Sequence, residues 1–337
     1  MTITVEQLIE LGTQLVTLNR PFMVIGQPGV GKTDGIRQVA KRSQRKLFVS
    51  HPAIDAPEDY KGFGFFQNGK ADFFPMGQMN DILDCKEQAI WFIDDLGQAP
   101  IAVQNAIMQF VHHRNRMLNG KKIPDDIAIV AASNRREDNA GVTGITDPLK
   151  GRFTTIVEVA ADLESWTDWA TQAGINPLII AYLHYRPGNL SQFEASKDFR
   201  QSPTPRGWES VNELTRLDVN PNVRMDMYSG AIGPQCATEF IQFTRILDSL
   251  PDLDDIELNG TTAQLPGENQ ARYAVCGALS VRGRDHDKLR EVMKYVSQLP
   301  SEYRVLWSVI WSKNNPEKQD WPEWTSWVIQ NQDVLSI

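Results

Sequence analysis

Cysteine is scarce in this 337-residue chain: Cys85, Cys236 and Cys276 stand alone and far apart. An odd, sparse set excludes a disulfide framework or a zinc ribbon and fits a reducing compartment. Long apolar runs are absent too. Runs such as Ile127–Ala132 stop at six residues, where a membrane span needs about 20, so no membrane insertion is expected. The start, Met1-Thr2-Ile3-Thr4-Val5-Glu6, lacks the basic, apolar and small-residue regions of a signal peptide, and a cytoplasmic location is expected. Positive charge is in deficit. Lys and Arg number 34 against 42 Asp and Glu, a net −8, which removes a global basic field and weighs against a nucleic-acid partner. What is present is a normal core complement, 41% hydrophobic, which excludes global disorder. The length suits about two domains.

The first part reads as α/β. Short apolar strands at 22–25, 46–49, 89–93, 127–132 and 154–159 alternate with helical stretches at 4–18, 32–44 and 98–113. Thr4 with Gln7 fits a capping box. Continuous apolar strands between helices predict a buried parallel sheet with helices on both faces. Two interruptions, 63–74 and 116–123, centre on Asn68-Gly69 and Asn119-Gly120, the dipeptide of tight hairpin turns. Beyond residue 160, segments 163–173, 177–185, 205–217, 235–249, 268–281, 286–298, 301–312 and 322–331 read as helices. Clusters such as Asp218–Asn222 and Pro251–Asp255 separate them. The expected division is an α/β core over 1–160 and a helical region over 161–337.

Gly26-Gln27-Pro28-Gly29-Val30-Gly31-Lys32-Thr33 matches G-x-x-x-x-G-K-[ST] after a strand and opening a helix, the context its chemistry requires. The glycines let successive N–H groups face a phosphate, and the helix dipole adds to them. Lys32 is expected to reach the β- and γ-phosphates of ATP, and Thr33 to ligate Mg²⁺. A second acidic element follows the strand Ile90-Trp91-Phe92-Ile93. Asp94 is expected on the metal, and Asp95 is placed to orient or deprotonate the attacking water.

Together these residues and the two hairpins resemble the AAA+ ATPases of the helix-2-insert clade, specifically MoxR-like ATPases. The resemblance implies a P-loop AAA+ parallel-sheet core with two inserted β-hairpins, an all-helical lid and a C-terminal helical extension. Ala131-Ala132-Ser133-Asn134 resembles sensor 1, which implies Asn134 near the γ-phosphate. Asp147-Pro148-Leu149-Lys150-Gly151-Arg152-Phe153 is similar to the family segment whose arginine enters the neighbouring subunit's site, which implies Arg152 as the finger. Ser202–Trp208 resembles sensor 2 and implies Arg206 touching the nucleotide in cis. One departure is Asp95, where the family has Glu; its carboxylate reaches about 1.5 Å less far.

The resemblance implies Mg-dependent ATP hydrolysis by a homo-oligomeric, hexameric ring that remodels or activates a protein client. It also implies a von Willebrand factor A domain partner. Two other classes stand beside it: a DNA motor or helicase loader, and a nucleotide-gated switch with little hydrolysis. The aromatics Phe63, Phe65, Phe66, Phe73 and Phe74 either grip a polypeptide or pack the hairpin on the core, and packing is the expectation. Trp307, Trp311, Trp321, Trp324 and Trp327 are expected in a helical core. Arg114, Arg135, Arg136 and the run Lys41–Lys46 are expected on solvated surface, and the adjacent His112-His113 pair points apart rather than to a metal.

Overall fold

A computed structural model describes residues 2–335, apart from 68, 113–115, 119, 120, 139–143, 195–200 and 247–249. The chain divides into two units, Met1–Asp162 with Phe193–Lys197, and Leu163–Gln192 with Asp198–Ile337.

In the first unit, β1 (Thr2–Ile3) leads into α1 (Val5–Thr17), β2 (Phe22–Gly26), α2 (Lys32–Arg42), β3 (Lys46–Ser50) and α3 (Pro57–Lys61). The hairpin β4 (Phe63–Gln67) and β5 (Lys70–Phe74) follows, then α4 (Gln78–Leu83), β6 (Ala89–Ile93) and α5 (Ile101–Ile107). A short hairpin of β7 (Met117–Leu118) and β8 (Lys121–Lys122) precedes β9 (Ile127–Asn134), α6 (Asp147–Lys150) and β10 (Thr155–Val159). Six strands form one parallel sheet in the order β1-β10-β2-β9-β6-β3.

The central strands β2, β6 and β9 are apolar over nearly their whole length because both faces are covered. Met23, Trp91, Ile93, Ile129 and Ala131 pack with Tyr60, Ile82, Val103 and Ile107 from α3, α4 and α5. The alternate positions Phe22, Val24, Ile90, Phe92 and Val130 pack with Leu8, Val16, Ile36 and Val39 from α1 and α2. Side-chain burial of this kind contributes about 1.5–3 kcal/mol for each large residue. The Thr4 capping box closes reciprocally, Gln7 N–H to Thr4 Oγ1 at 3.2 Å and Thr4 N–H to Gln7 Oε1 at 3.1 Å. The sheet thus carries the five expected strands and, at its edge, β1, a two-residue strand too short to leave a periodic signal.

Both hairpins form, and Gly69 takes the positive φ of 78° that the turn needs; Asn68, Asn119 and Gly120 lie outside the described residues. The expectation that the first hairpin's rings pack on the core is corrected. Phe63, Phe65, Phe66 and Phe73 are 49–78% exposed, because β4 and β5 pair only with each other. The run 41–46 is also corrected at one position: Arg45 is buried and donates to Asn19 Oδ1 at 3.0 Å and to the Asp126 carbonyl at 3.1 Å.

The second unit, among its described residues, is helical throughout: α7 (Leu163–Gln172), α8 (Pro177–Tyr185), α9 (Pro205–Leu214), α10 (Pro221–Ile232), α11 (Pro234–Arg245) and α12 (Leu253–Asn259), then α13 (Asn269–Leu279), α14 (His286–Val296), α15 (Ser301–Asn314), α16 (Pro322–Gln330) and α17 (Gln332–Leu335). Helices α10 and α12 correct two expected separators. Asn220 caps α10 through its side chain with Pro221 at the first turn, and Asp252 caps α12. Residues that read as breaks are the starts of helices. Trp307, Trp311, Trp324 and Trp327 are buried in mutual contact, Trp311 and Trp324 with ring centres 4.6 Å apart. The fifth, Trp321, is half-buried and stacks on His286 at 4.0 Å. His184 on α8 faces Thr167 Oγ1 at 3.0 Å, and burial pushes its imidazole down to about 4. No helix among the described residues is long and apolar enough to cross a membrane.

Candidate nucleotide site

The buried strand β2 ends at Gly26, and the chain turns through Gln27–Gly31 into α2. Gly29 at φ 74° and Gly31 at φ 102° adopt the left-handed region that side chains resist. Val30 is buried beneath the loop. Gly31 caps α2 without any side-chain hydrogen bond, and the start of this eleven-residue helix, with its dipole, favours an anion. Lys32 is buried, and its Nζ donates to the carbonyls of Gly26 and Gln27, both at 2.9 Å, and to Asn134 Oδ1 at 2.8 Å.

Asp94, one residue past β6, is buried; its backbone N–H donates to the Ser50 carbonyl at 2.9 Å. Its Oδ2 accepts from Thr33 Oγ1 at 2.8 Å and its Oδ1 from the Asp95 N–H at 3.0 Å. A carboxylate beside a hydroxyl is an oxygen donor pair that suits Mg²⁺. No group of three or more His, Cys, Asp or Glu among the described residues could hold a metal, so the fit is to an ion that keeps waters and phosphate oxygens as its other ligands. The uncapped helix start and the curled loop fit a phosphate chain. Asp95 itself has φ 55° and ψ 32°, one of three non-glycine residues with positive φ among the described residues.

Lys32, Thr33, Asp94, Asp95 and Asn134 therefore gather at the C-terminal ends of β2, β6 and β9, where Gly26 stands opposite Asn134 in register. Arg152 does not join them. It lies before β10, whose first residue Thr155 pairs with Phe22 at the start of β2, so the length of the sheet separates it from the phosphate loop. Five strand residues span about 17 Å, beyond the reach of one arginine. Its Nη1 donates to the Met108 carbonyl at 2.6 Å, just past α5.

Arg206 belongs to the second unit, exposed in the first turn of α9, which Thr204 caps through the Gly207 N–H at 3.0 Å. Arg135 departs from the solvated-surface expectation: it is mostly buried and pairs with Asp138 at 2.7 Å, Glu137 at 3.1 Å and Glu158 at 3.2 Å. Three carboxylates converge on it because the turn after β9 and strand β10 meet there. Arg136 is exposed, and Arg114 and His113 lie outside the described residues.

One residue escapes the sequence reading. Gln104 on α5 is fully buried. It donates to the carbonyls of Ala99 at 3.1 Å and Gly144 at 2.8 Å and accepts from the Thr146 N–H at 3.2 Å. It ties the helix after Asp94-Asp95 to the segment that enters α6 and Arg152. A glutamine among Val103, Ala106 and Ile107 on a buried face is the signal.

Residues 2–144 match the model of the Sigma-54 interaction domain, an AAA+ family. That stretch falls within the parallel α/β core, which is followed by helices. NtrX from Brucella abortus in complex with ADP is 17% identical over 98% of this chain and 68% of that one, with TM-score 0.40. NtrX in complex with ATP is 16% identical over 100% and 69%, with TM-score 0.41. A RuvB mutant from Thermotoga maritima is 13% identical over 97% and 87%, with TM-score 0.35. No curated protein matches the sequence.

Proposed function

We propose that this protein is a Mg-dependent ATP hydrolase that works as a ring and couples nucleotide turnover to remodelling, assembly or activation of a protein partner. The carrying observation is the convergence of Lys32 with Asn134 and of Thr33 with Asp94 at one end of the sheet. When bound, Mg-ATP supplies the transferable phosphoryl group and the divalent charge. Lys32 and the amides opening α2 bind the phosphates. Thr33 and Asp94 hold the metal. Asp95 and Asn134 orient water, and Asp95 takes its proton. Phosphoryl transfer asks mainly for positioning and positive charge; the motif resemblance implies that Arg206 adds charge in cis.

Arg152 supplies charge to a neighbour's nucleotide. Its place at the opposite end of the sheet supports action in trans, and AAA+ domains commonly oligomerise into rings; the proposed ring is a hexamer. The exposed rings of Phe63, Phe65, Phe66 and Phe73 support a polypeptide partner. The MoxR-like role and a von Willebrand factor A client rest on the motif resemblance alone, and a cytoplasmic location on the sparse cysteines and the absence of a signal-peptide pattern. Lys32→Ala tests the reading: tight ATP binding by calorimetry and phosphate release should both be lost, since Lys32 is the loop's one side-chain cation. Undiminished ATP binding in that variant overturns the site. Intact ATP binding by the parent with negligible phosphate release, alone and with client, would make the protein a nucleotide-gated switch instead.

A further inference from the structure

An ammonium has three N–H donors. The Lys32 ammonium donates to at least three acceptors at 2.8–2.9 Å: the Gly26 and Gln27 carbonyls and Asn134 Oδ1. The side chain is buried, so water competes little for them. The three acceptors differ in kind. Two belong to the loop that carries the lysine, five and six residues away. The third comes from 102 residues along the chain. Asn134 ends β9, a strand buried from Ile127 to Ser133 and paired in register with β2. The Ser133 hydroxyl donates to the Asn134 carbonyl at 2.8 Å, which further fixes the backbone there.

A phosphate oxygen that binds Lys32 must take over a donor direction. Surrendering a loop carbonyl would mean rearranging the loop that cradles the phosphate. Surrendering Asn134 needs only that the ammonium swing away from a neutral amide. We infer that Asn134 is a positioning residue with a task in the nucleotide-free site: it tethers the Lys32 ammonium, and nucleotide binds in competition with that tether. The exchange releases the Asn134 amide for the phosphate or water when nucleotide arrives. This inference rests on the nucleotide-site reading above and adds a competition that a residue meeting only the γ-phosphate or the water would not produce.

ADP separates the two, because it has no γ-phosphate. Its affinity is measured by calorimetry with a chelator present, so that the Thr33–Asp94 pair and any metal stay out of the comparison. Asn134→Ala should bind ADP about tenfold more tightly than the parent, the worth of one hydrogen bond to a charged group. Asn134→Ser, whose hydroxyl is too short to hold the lysine, should do the same and serves if the alanine variant folds poorly. Asn134→Asp, which keeps the tether and charges it, should bind ADP at least tenfold more weakly. In a Lys32→Ala background, Asn134→Ala should leave the residual ADP affinity unchanged, a coupling that a purely structural role would not create. Unchanged or weaker ADP binding by folded Asn134→Ala or Asn134→Ser overturns the tether while leaving the nucleotide site standing. A parent that binds neither ADP nor ATP overturns both.

Discussion

Replacing Asp95 by glutamate sets two effects against each other. The longer side chain brings the carboxylate about 1.5 Å further into the site, which should favour turnover if reach limits the rate. The backbone opposes the change. Asp95 sits at φ 55° and ψ 32°, a left-handed conformation that raises the energy of an ordinary L-residue by about 1–2 kcal/mol. Aspartate and asparagine escape much of this because their short polar side chains bond locally; glutamate does not. Asp95→Glu should therefore lose about 1 kcal/mol. In a unit of roughly 150–250 residues that lowers the melting temperature by about 2–4 °C. Asp95→Asn should melt with the parent, since asparagine is at home in this conformation, yet turn over about 10²–10⁴-fold more slowly for want of a base. Scanning calorimetry of the three nucleotide-free proteins, beside phosphate release at saturating Mg-ATP, reads both effects. Asp95→Glu melting at or above the parent would refute the backbone argument. Asp95→Asn retaining full turnover would move water activation to another residue.

Arg152→Ala should bind ATP nearly as the parent does and hydrolyse it about 10³-fold more slowly. Mixed with Lys32→Ala it should regain activity that neither variant shows alone, because each supplies what the other lacks; a mixture that stays inactive, with no poisoning of the parent, places Arg152 outside the reaction. His184 gives the second unit a pH dependence of definite sign. Its folded pKa, pushed down to about 4 by burial, lies below the ordinary 6.5. The unfolded chain therefore takes up the proton first, and stability falls as pH drops from about 6.5 to about 4, by about 3 kcal/mol at most. His184→Gln should flatten that part of the melting-temperature profile, and an unchanged slope would assign it to other groups.

The phosphate loop and Asp94 are legible in the sequence because their chemistry demands contiguous residues, and the central strands because a strand buried on both faces must be apolar along its whole length. The pairing of Lys32 with Asn134 is not legible, since it joins residues 102 apart through sheet register. Helices α10 and α12 hide because Asn220, Pro221 and Asp252 are as common in turns as at helix starts. Exposure of the Phe63–Phe74 hairpin hides for another reason: a row of phenylalanines looks the same whether a helix covers it or not. Arg45 shows the same limit for charge, where unfilled carbonyls at the end of the sheet draw a cation inward.

The separation of Arg152 from the phosphate loop by the length of the sheet sets a rule for how activity depends on protein concentration. If a complete site needs one end of one sheet and the opposite end of another, a lone chain has none, and an open string has one fewer than its number of subunits. Only closure gives every subunit a complete site. Specific activity should then climb steeply over the concentrations at which subunits assemble and level off once rings close. Dilution below that range should extinguish turnover faster than it releases nucleotide, because each departing subunit breaks two sites while taking its own phosphate loop with it.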